Sequence, residues 1–256
     1  MKNIDFSKRE TTMIIILLLL VVGYIVYPRI QQQRFEARAQ TTIAGFEYMI
    51  EEYRIQYQYQ LLAHRQNNPN ANHEPVFFLE LVSQWLENVN HTLYLGSQEH
   101  LADPFIYNHP PVNLNMIGFY TNIIGTISIP AIDINLPIYL GANMYHLGSG
   151  VAHVTHSSFP VNSNGRSSNT VIAGYRSTPH SHGRVFRDIP QLQIGDEIRI
   201  TNFLQTIVYS VVETRVAAPY ETEALRVQSG RELVTLITTH QRRGNMRYLV
   251  VAERVG

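Results

Sequence analysis

Histidine carries much of the chemistry this sequence can offer. There are 11, and three groupings stand out: His153 and His156 three apart, His180 and His182 two apart, and His240 directly after Thr238 and Thr239. An imidazole can ligate a metal or act as a general acid and base. A metal here would have to be held by His and carboxylates alone, because the chain has no cysteine. No HExxH helix motif is present. No metal and no cofactor are expected. The missing cysteine also excludes disulfides, iron–sulfur clusters and a thiol nucleophile. Arg242, Arg243 and Arg247 form a basic group that could attract an anionic headgroup or a carboxylate; the first two are expected in a solvated loop. Asp103-Pro104-Phe105 reads locally as a turn.

These residues sit in a chain able to build a core. It has 256 residues, 45% of them hydrophobic and 16% charged, too apolar for a disordered chain. One or two domains are expected. Twenty basic side chains balance 20 acidic ones, so no nucleic-acid partner is expected. Neither GxGxxG nor a P-loop occurs.

Met13 to Tyr27 reads MIIILLLLVVGYIVY without a charge. With Thr11 and Thr12 it reaches about 17 residues, the lower end for a membrane span. Tyr24 and Tyr27 suit the interface, and Pro28 is expected to break the helix. The Ala37-Arg38-Ala39 pattern lies too far downstream for a signal-peptidase site, so an uncleaved single-pass anchor is expected. Basic residues flank both sides, and the positive-inside rule does not orient it. The short N-terminal tail favours a cytoplasmic N-terminus and an external body. The expected divisions are a tail (1–10), an anchor (11–28), a helical stalk with a following connection (29–115) and a β-rich body (116–256).

In the stalk, Ile43, Phe46, Met49, Ile50, Tyr53 and Tyr57 recur at spacings of three and four, an amphipathic helical stripe. The stretch 67–75 is a loop by composition. A second helix is expected from Val76 to about His91, with Phe77, Leu81, Trp85 and Leu86 on one side. Residues 101–112 read as a long irregular connection. From Ile117 on, short β-rich runs alternate with turn signals: 124–129, 136–140, 170–173, 197–201, 207–216, 233–239 and 247–254. Glu197 to Thr201 alternates as a half-buried strand should. Seven or eight such strands predict a small barrel or sandwich.

Six segments together resemble the sortase family, most closely its class C, pilus-assembling members. They are IGTISIPAIDINLPIYLG (124–141), GSGVAHVTHSSFPV (148–161), NTVIAGYRS (169–177), VFRDIPQLQIGDEIRI (185–200), ELVTLITTH (232–240) and NMRYLVVAER (245–254). The resemblance implies an eight-stranded β-barrel behind N-terminal helices and a transmembrane helix. It also implies an extracytoplasmic location and a cysteine transpeptidase acting on LPXTG-like sorting signals. Two catalytic positions depart from the family pattern. Thr239 occupies the place of the nucleophilic cysteine, and Tyr175 that of the histidine base. Arg247 matches the family's arginine. By the same resemblance, Asp103, Pro104 and Phe105 are a lid, with Asp103 reaching toward Arg247 and Phe105 covering the nucleophile position. His153 falls where the family also has a histidine, and a structural role is expected for it.

A threonine hydroxyl needs an adjacent base. Tyrosine, with an ordinary pKa of about 10, is a poor proton acceptor. His240 neighbours Thr239, but successive strand side chains point to opposite faces. The expectation is a catalytically inactive homologue at the cell envelope, an accessory that binds a pilin, an LPXTG-like sorting signal or a catalytically intact sortase. The alternatives are an active enzyme with a non-cysteine nucleophile and an envelope protein that keeps only the fold.

Overall fold

The computed structural model describes residues 8–69, 73–96, 98–106, 114–118, 121–161, 165–176 and 185–255. His180, His182, the first seven residues and part of the connection after Ile106 lie outside them.

Helix α1 runs from Lys8 to Asn67 without interruption, about 90 Å at 1.5 Å per residue. Its N-terminal part is long and apolar enough to cross a membrane, and none of that stretch is buried against the protein. Pro28 does not break the helix, contrary to expectation. Proline removes one N–H from the ladder. The Gln-, Arg- and Ala-rich residues after it are strong helix formers, and tertiary docking holds their register. Phe35, Ala39, Ile43, Phe46 and Ile50, spaced by three and four, are all buried.

Helix α2, Phe78–Leu95, buries Leu79, Val82, Leu86 and Asn90. Leu81, expected on the packed side, is 49% exposed. Two positions from Leu79 is about 200° around a helix, so both cannot face the core. Tyr53 stacks on Phe78 at 5.2 Å between centroids, and Tyr57 packs on Phe77 at 4.9 Å, fastening α1 to α2. Asn90 fastens α2 to the body: its Nδ2 donates to Phe159 O and its Oδ1 accepts from Phe159 N–H.

The body is a closed eight-stranded barrel. Its strands are β1 (Ile123–Ile129), β2 (Ile134–Leu140), β3 (Val151–His153), β4 (Ser168–Ala173), β5 (Glu197–Thr201), β6 (Thr206–Ala217), β7 (Glu232–Thr239) and β8 (Arg247–Arg254). A short helix α3, Met144–Ser149, precedes β3. Around the barrel the order is β1-β2-β3-β4-β7-β8-β6-β5, with β5 pairing back onto β1. The seven strands expected from sequence are present. The eighth, β3, escaped because three residues cannot show an alternation.

Parallel strands β4 and β7 lie side by side and are buried almost throughout, the burial that parallel strands favour. Their side chains divide between two clusters. Ile172, Val234 and Leu236 join the main core with the helix residues. Val171, Ala173 and Ile237 join a second cluster with Leu101, Ala217, Leu225 and Leu249. Phe105 and Tyr175 pack against that second cluster.

Candidate functional site

Strand register assembles the site. Ile237 faces Leu249 across the β7–β8 ladder, and Thr239 faces Arg247. Directly opposed side chains share a face, so Thr239 and Arg247 extend the row that Ile237 and Leu249 begin. On the other flank Ala173 pairs with Ile237, and Tyr175 lies two residues beyond it. Thr239, Arg247 and Tyr175 thus meet where β7 and β4 end and β8 begins, on the side of the second cluster.

Arg247 is 5% exposed and Asp103 is 2% exposed. Arg247 Nε donates to Asp103 Oδ2 at 2.6 Å. The guanidinium also donates from Nη1 to the carbonyls of Gly244 and Met246. The other Asp103 oxygen accepts the Phe105 N–H at 2.7 Å, which folds 103–105 into a tight turn with Pro104 buried. Phe105 lies with its ring centroid 5.3 Å from Arg247 Cζ and 5.8 Å from the Tyr175 ring. The charge-assisted pair is therefore roofed by an aromatic ring. Further along the same segment, Leu101 is buried in the second cluster. Gln98 ties it to the barrel by donating to His156 O at 3.4 Å and accepting from Val227 N–H at 2.7 Å. The His100 and His156 rings lie 5.5 Å apart.

The histidines divide by role. Nδ1 of His240 accepts from the Arg242 and Arg243 backbone N–H groups, both at 3.2 Å, so this nitrogen is engaged in the β7–β8 hairpin. His153 is buried, with Nε2 near Ser158 O at 3.0 Å and Ser157 Oγ at 3.1 Å, and it stacks on Phe159. Burial and the nearby His100 hold the His156 imidazole below its ordinary pKa. Among the described residues no cluster of three or more His, Asp or Glu stands ready for a metal.

Arg242 and Arg243 are exposed. Gln98 and the His100–His156 contact were not foreseen. Both join segments far apart in the chain, and no local pattern marks them.

Comparison with known proteins identifies the family and fold. A family model described as "Sortase domain" matches residues 127–255. Sortase D of Bacillus subtilis (strain 168) is 30% identical over 135 residues, 51% of this chain and 63% of that protein. Sortase A of Bacillus anthracis is 30% identical over 135 residues, 52% of this chain and 60% of that protein. The chain therefore spans less than two thirds of the length of these curated relatives. Among solved structures, sortase C-1 of Actinomyces oris superposes with a TM-score of 0.59 at 31% identity, covering 68% of this chain and 96% of that one. Sortase C-3 of Streptococcus pneumoniae gives 0.60 at 34%, covering 68% and 82%. A pilus-related sortase C of Group B Streptococcus gives 0.62 at 27%, covering 75% and 97%.

Proposed function

The chain belongs to the sortase family, and we propose that it acts there as a membrane-anchored, class C-like homologue that binds without cleaving. Its role would be that of an accessory in pilus or surface-protein assembly. The ligand would be a pilin or an LPXTG-like sorting signal, with a catalytically intact sortase as a further partner.

What carries this reading is the chemistry of Thr239 and Tyr175, which we take to occupy the nucleophile and base positions. With Thr239 at the nucleophile position and Tyr175 at the base position, the imidazole adjacent in sequence, His240, has Nδ1 bonded to its own hairpin. A threonine hydroxyl without a base is a weak nucleophile, and a tyrosine hydroxyl is a weak acceptor at neutral pH. Nucleophile and base act as a unit, so losing both removes most of the rate. What the site keeps suits recognition. Arg247 offers several donors in a fixed plane, and Phe105 and Tyr175 offer apolar faces. Moving the 103–105 turn away would free Arg247 to meet peptide carbonyls. Helix α1 supports an anchored arrangement, with the barrel carried outside the membrane.

The test uses the full chain in non-ionic detergent with an LPXTG-type peptide and an amine acceptor. The expected result is binding, weakened by Arg247→Ala, with no cleavage product. Turnover that disappears in Thr239→Ala overturns the reading in favour of an active enzyme. Undetectable binding of any sorting signal or pilin overturns it in favour of a purely structural role.

A further inference from the structure

The barrel end that holds Thr239 and Arg247 carries a local excess of positive charge in a chain that is balanced overall. Arg176 directly follows Tyr175. The Gly174 N–H donates to Ile237 O at 3.1 Å, and Thr238 Oγ1 donates to Gly174 O at 2.8 Å. The chain leaving β4 therefore runs beside the end of β7 two residues before Arg176, and β7 leads directly into the β7–β8 hairpin. That hairpin presents Arg242 and Arg243 to solvent. Among the described residues none of these three guanidinium groups is in an ion pair. Arg176 is partly buried, and its Nη1 is closed off from solvent with no hydrogen-bond partner. The part of this guanidinium that remains accessible is thus held beside a partly desolvated charge, and an anion meeting it there is screened less than at a fully exposed arginine.

Several carboxylates of the neighbouring segments are engaged with partners other than these arginines. Asp103 is held by Arg247. Glu221 accepts from the Ala218 N–H at 2.8 Å, and Glu223 faces Arg226 at 3.5 Å. The chain therefore leaves Arg176, Arg242 and Arg243 available to an external anion.

We propose that Arg176, Arg242 and Arg243 form an anion-accepting rim beside the site, and that its ligand is the acidic side chains flanking the peptide segment that occupies the site. This rests on the peptide-binding reading above and adds the charge preference of the ligand. A guanidinium fork matches a carboxylate in a bidentate geometry. The neighbouring aromatic rings and Arg247 suit an extended peptide rather than a lone phosphate or a lipid headgroup. The rim would speed encounter and select among peptides of equal apolar character.

The experiment measures fluorescence anisotropy of two labelled peptides on the full chain in non-ionic detergent. Both carry an LPXTG-type core; one is flanked by Asp and Glu and the other by Asn and Gln. The acidic peptide is expected to bind about tenfold tighter at low ionic strength, with the gap narrowing as salt screens the charges. R242Q/R243Q, at exposed positions, and R176Q should each reduce the gap, and R176K should keep part of it. Equal affinities for the two peptides overturn the proposal and leave the peptide-binding reading standing, as does a preference that survives all three glutamine substitutions. Binding of neither peptide overturns both. A cleavage product in the same tubes overturns only the non-catalytic reading. Inorganic phosphate or anionic vesicles that bind through these arginines, while the peptides show no preference, assign the rim to phosphate or lipid and overturn the proposal.

Discussion

Asp103 and Arg247 are separated by most of the chain, yet each is nearly inaccessible to water and they meet at 2.6 Å. Such a pair contributes little net stability against an apolar replacement, but removing one member strands a buried charge. Asp103→Ala should therefore lower the unfolding free energy by about 3 kcal/mol, read from denaturant midpoints. The same change releases the turn that roofs the site. Amides of 101–106 should exchange faster, and an LPXTG-type peptide should bind more tightly despite the lower stability, because Arg247 is freed. Lower stability with unchanged peptide affinity would show that the turn does not compete with ligand. Phe105→Ala removes a ring that touches both Arg247 and Tyr175 without stranding a charge, so its cost should be nearer 1 kcal/mol. At this scale the sequence was informative where a family pattern could be laid over it. That pattern singled out Thr239, Tyr175, Arg247 and Asp103, and the Asp103–Arg247 contact is present in the structure. Arg176 as an unsatisfied cation was not singled out, since a missing partner is a property of folded neighbours.

The elements explain how four distant residues reach one place, and where sequence reading lost ground. Parallel β4 and β7 deliver Tyr175 and Thr239 to the same barrel end, and the β7–β8 hairpin returns Arg247 beside them. Gly174 lies at this junction. A Cβ there would come within 2.6 Å of the fully buried Phe186 ring and 3.0 Å of Val185. Gly174→Ala should cost about 1–3 kcal/mol by overpacking and should disturb Tyr175 next to it. A thermal shift without loss of peptide binding would show that the strain relaxes away from the site. The 98–106 segment docks partly through His100 against His156. Because His156 is held below its ordinary pKa, the docked segment favours the neutral imidazole. The contact is complete above the free-imidazole value of about 6.5 and is opposed as pH falls through the lowered value. Exposed like charges are well screened, so the effect should be a few-fold at most. Exchange of 98–106 amides, corrected for intrinsic rates, should be a few-fold faster near pH 5.5 than near pH 7.5, and His156→Gln should remove the difference. An equal response in that variant would place the titrating group elsewhere. Periodicity located the long strands and both helices, because each repeats a pattern for several residues. It missed β3, too short to repeat, and misjudged Pro28, where docking of Phe35 and Ala39 outweighs one missing hydrogen bond.

For the whole molecule, the 60-residue helix α1 has two distinct parts, and burial marks the division. Residues 11–30 are exposed along their length, while Phe35, Ala39, Phe46 and Ile50 lie in the core that also holds Leu79, Val82, Leu86 and the barrel interior, and Ile43 is buried on the same helical face. The barrel contributes the closed ladder, but that shared core ties the helices to it. Each of the large side chains Phe35, Ile43, Phe46 and Ile50 contributes about 1.5–3 kcal/mol through burial. The four together rival the roughly 5–15 kcal/mol net stability of a typical domain. A chain starting at residue 30 should lose membrane association and keep its thermal midpoint, since the described residues from 11 to 29 hold no buried surface. A chain starting at residue 52 should expose the inner faces of α2 and β2, and should melt far lower or fail to refold. Calorimetry on the two shortened chains separates the contributions of the two parts. A barrel that melts alike in both would mean that the helices are passengers, and that stability resides in the strands alone.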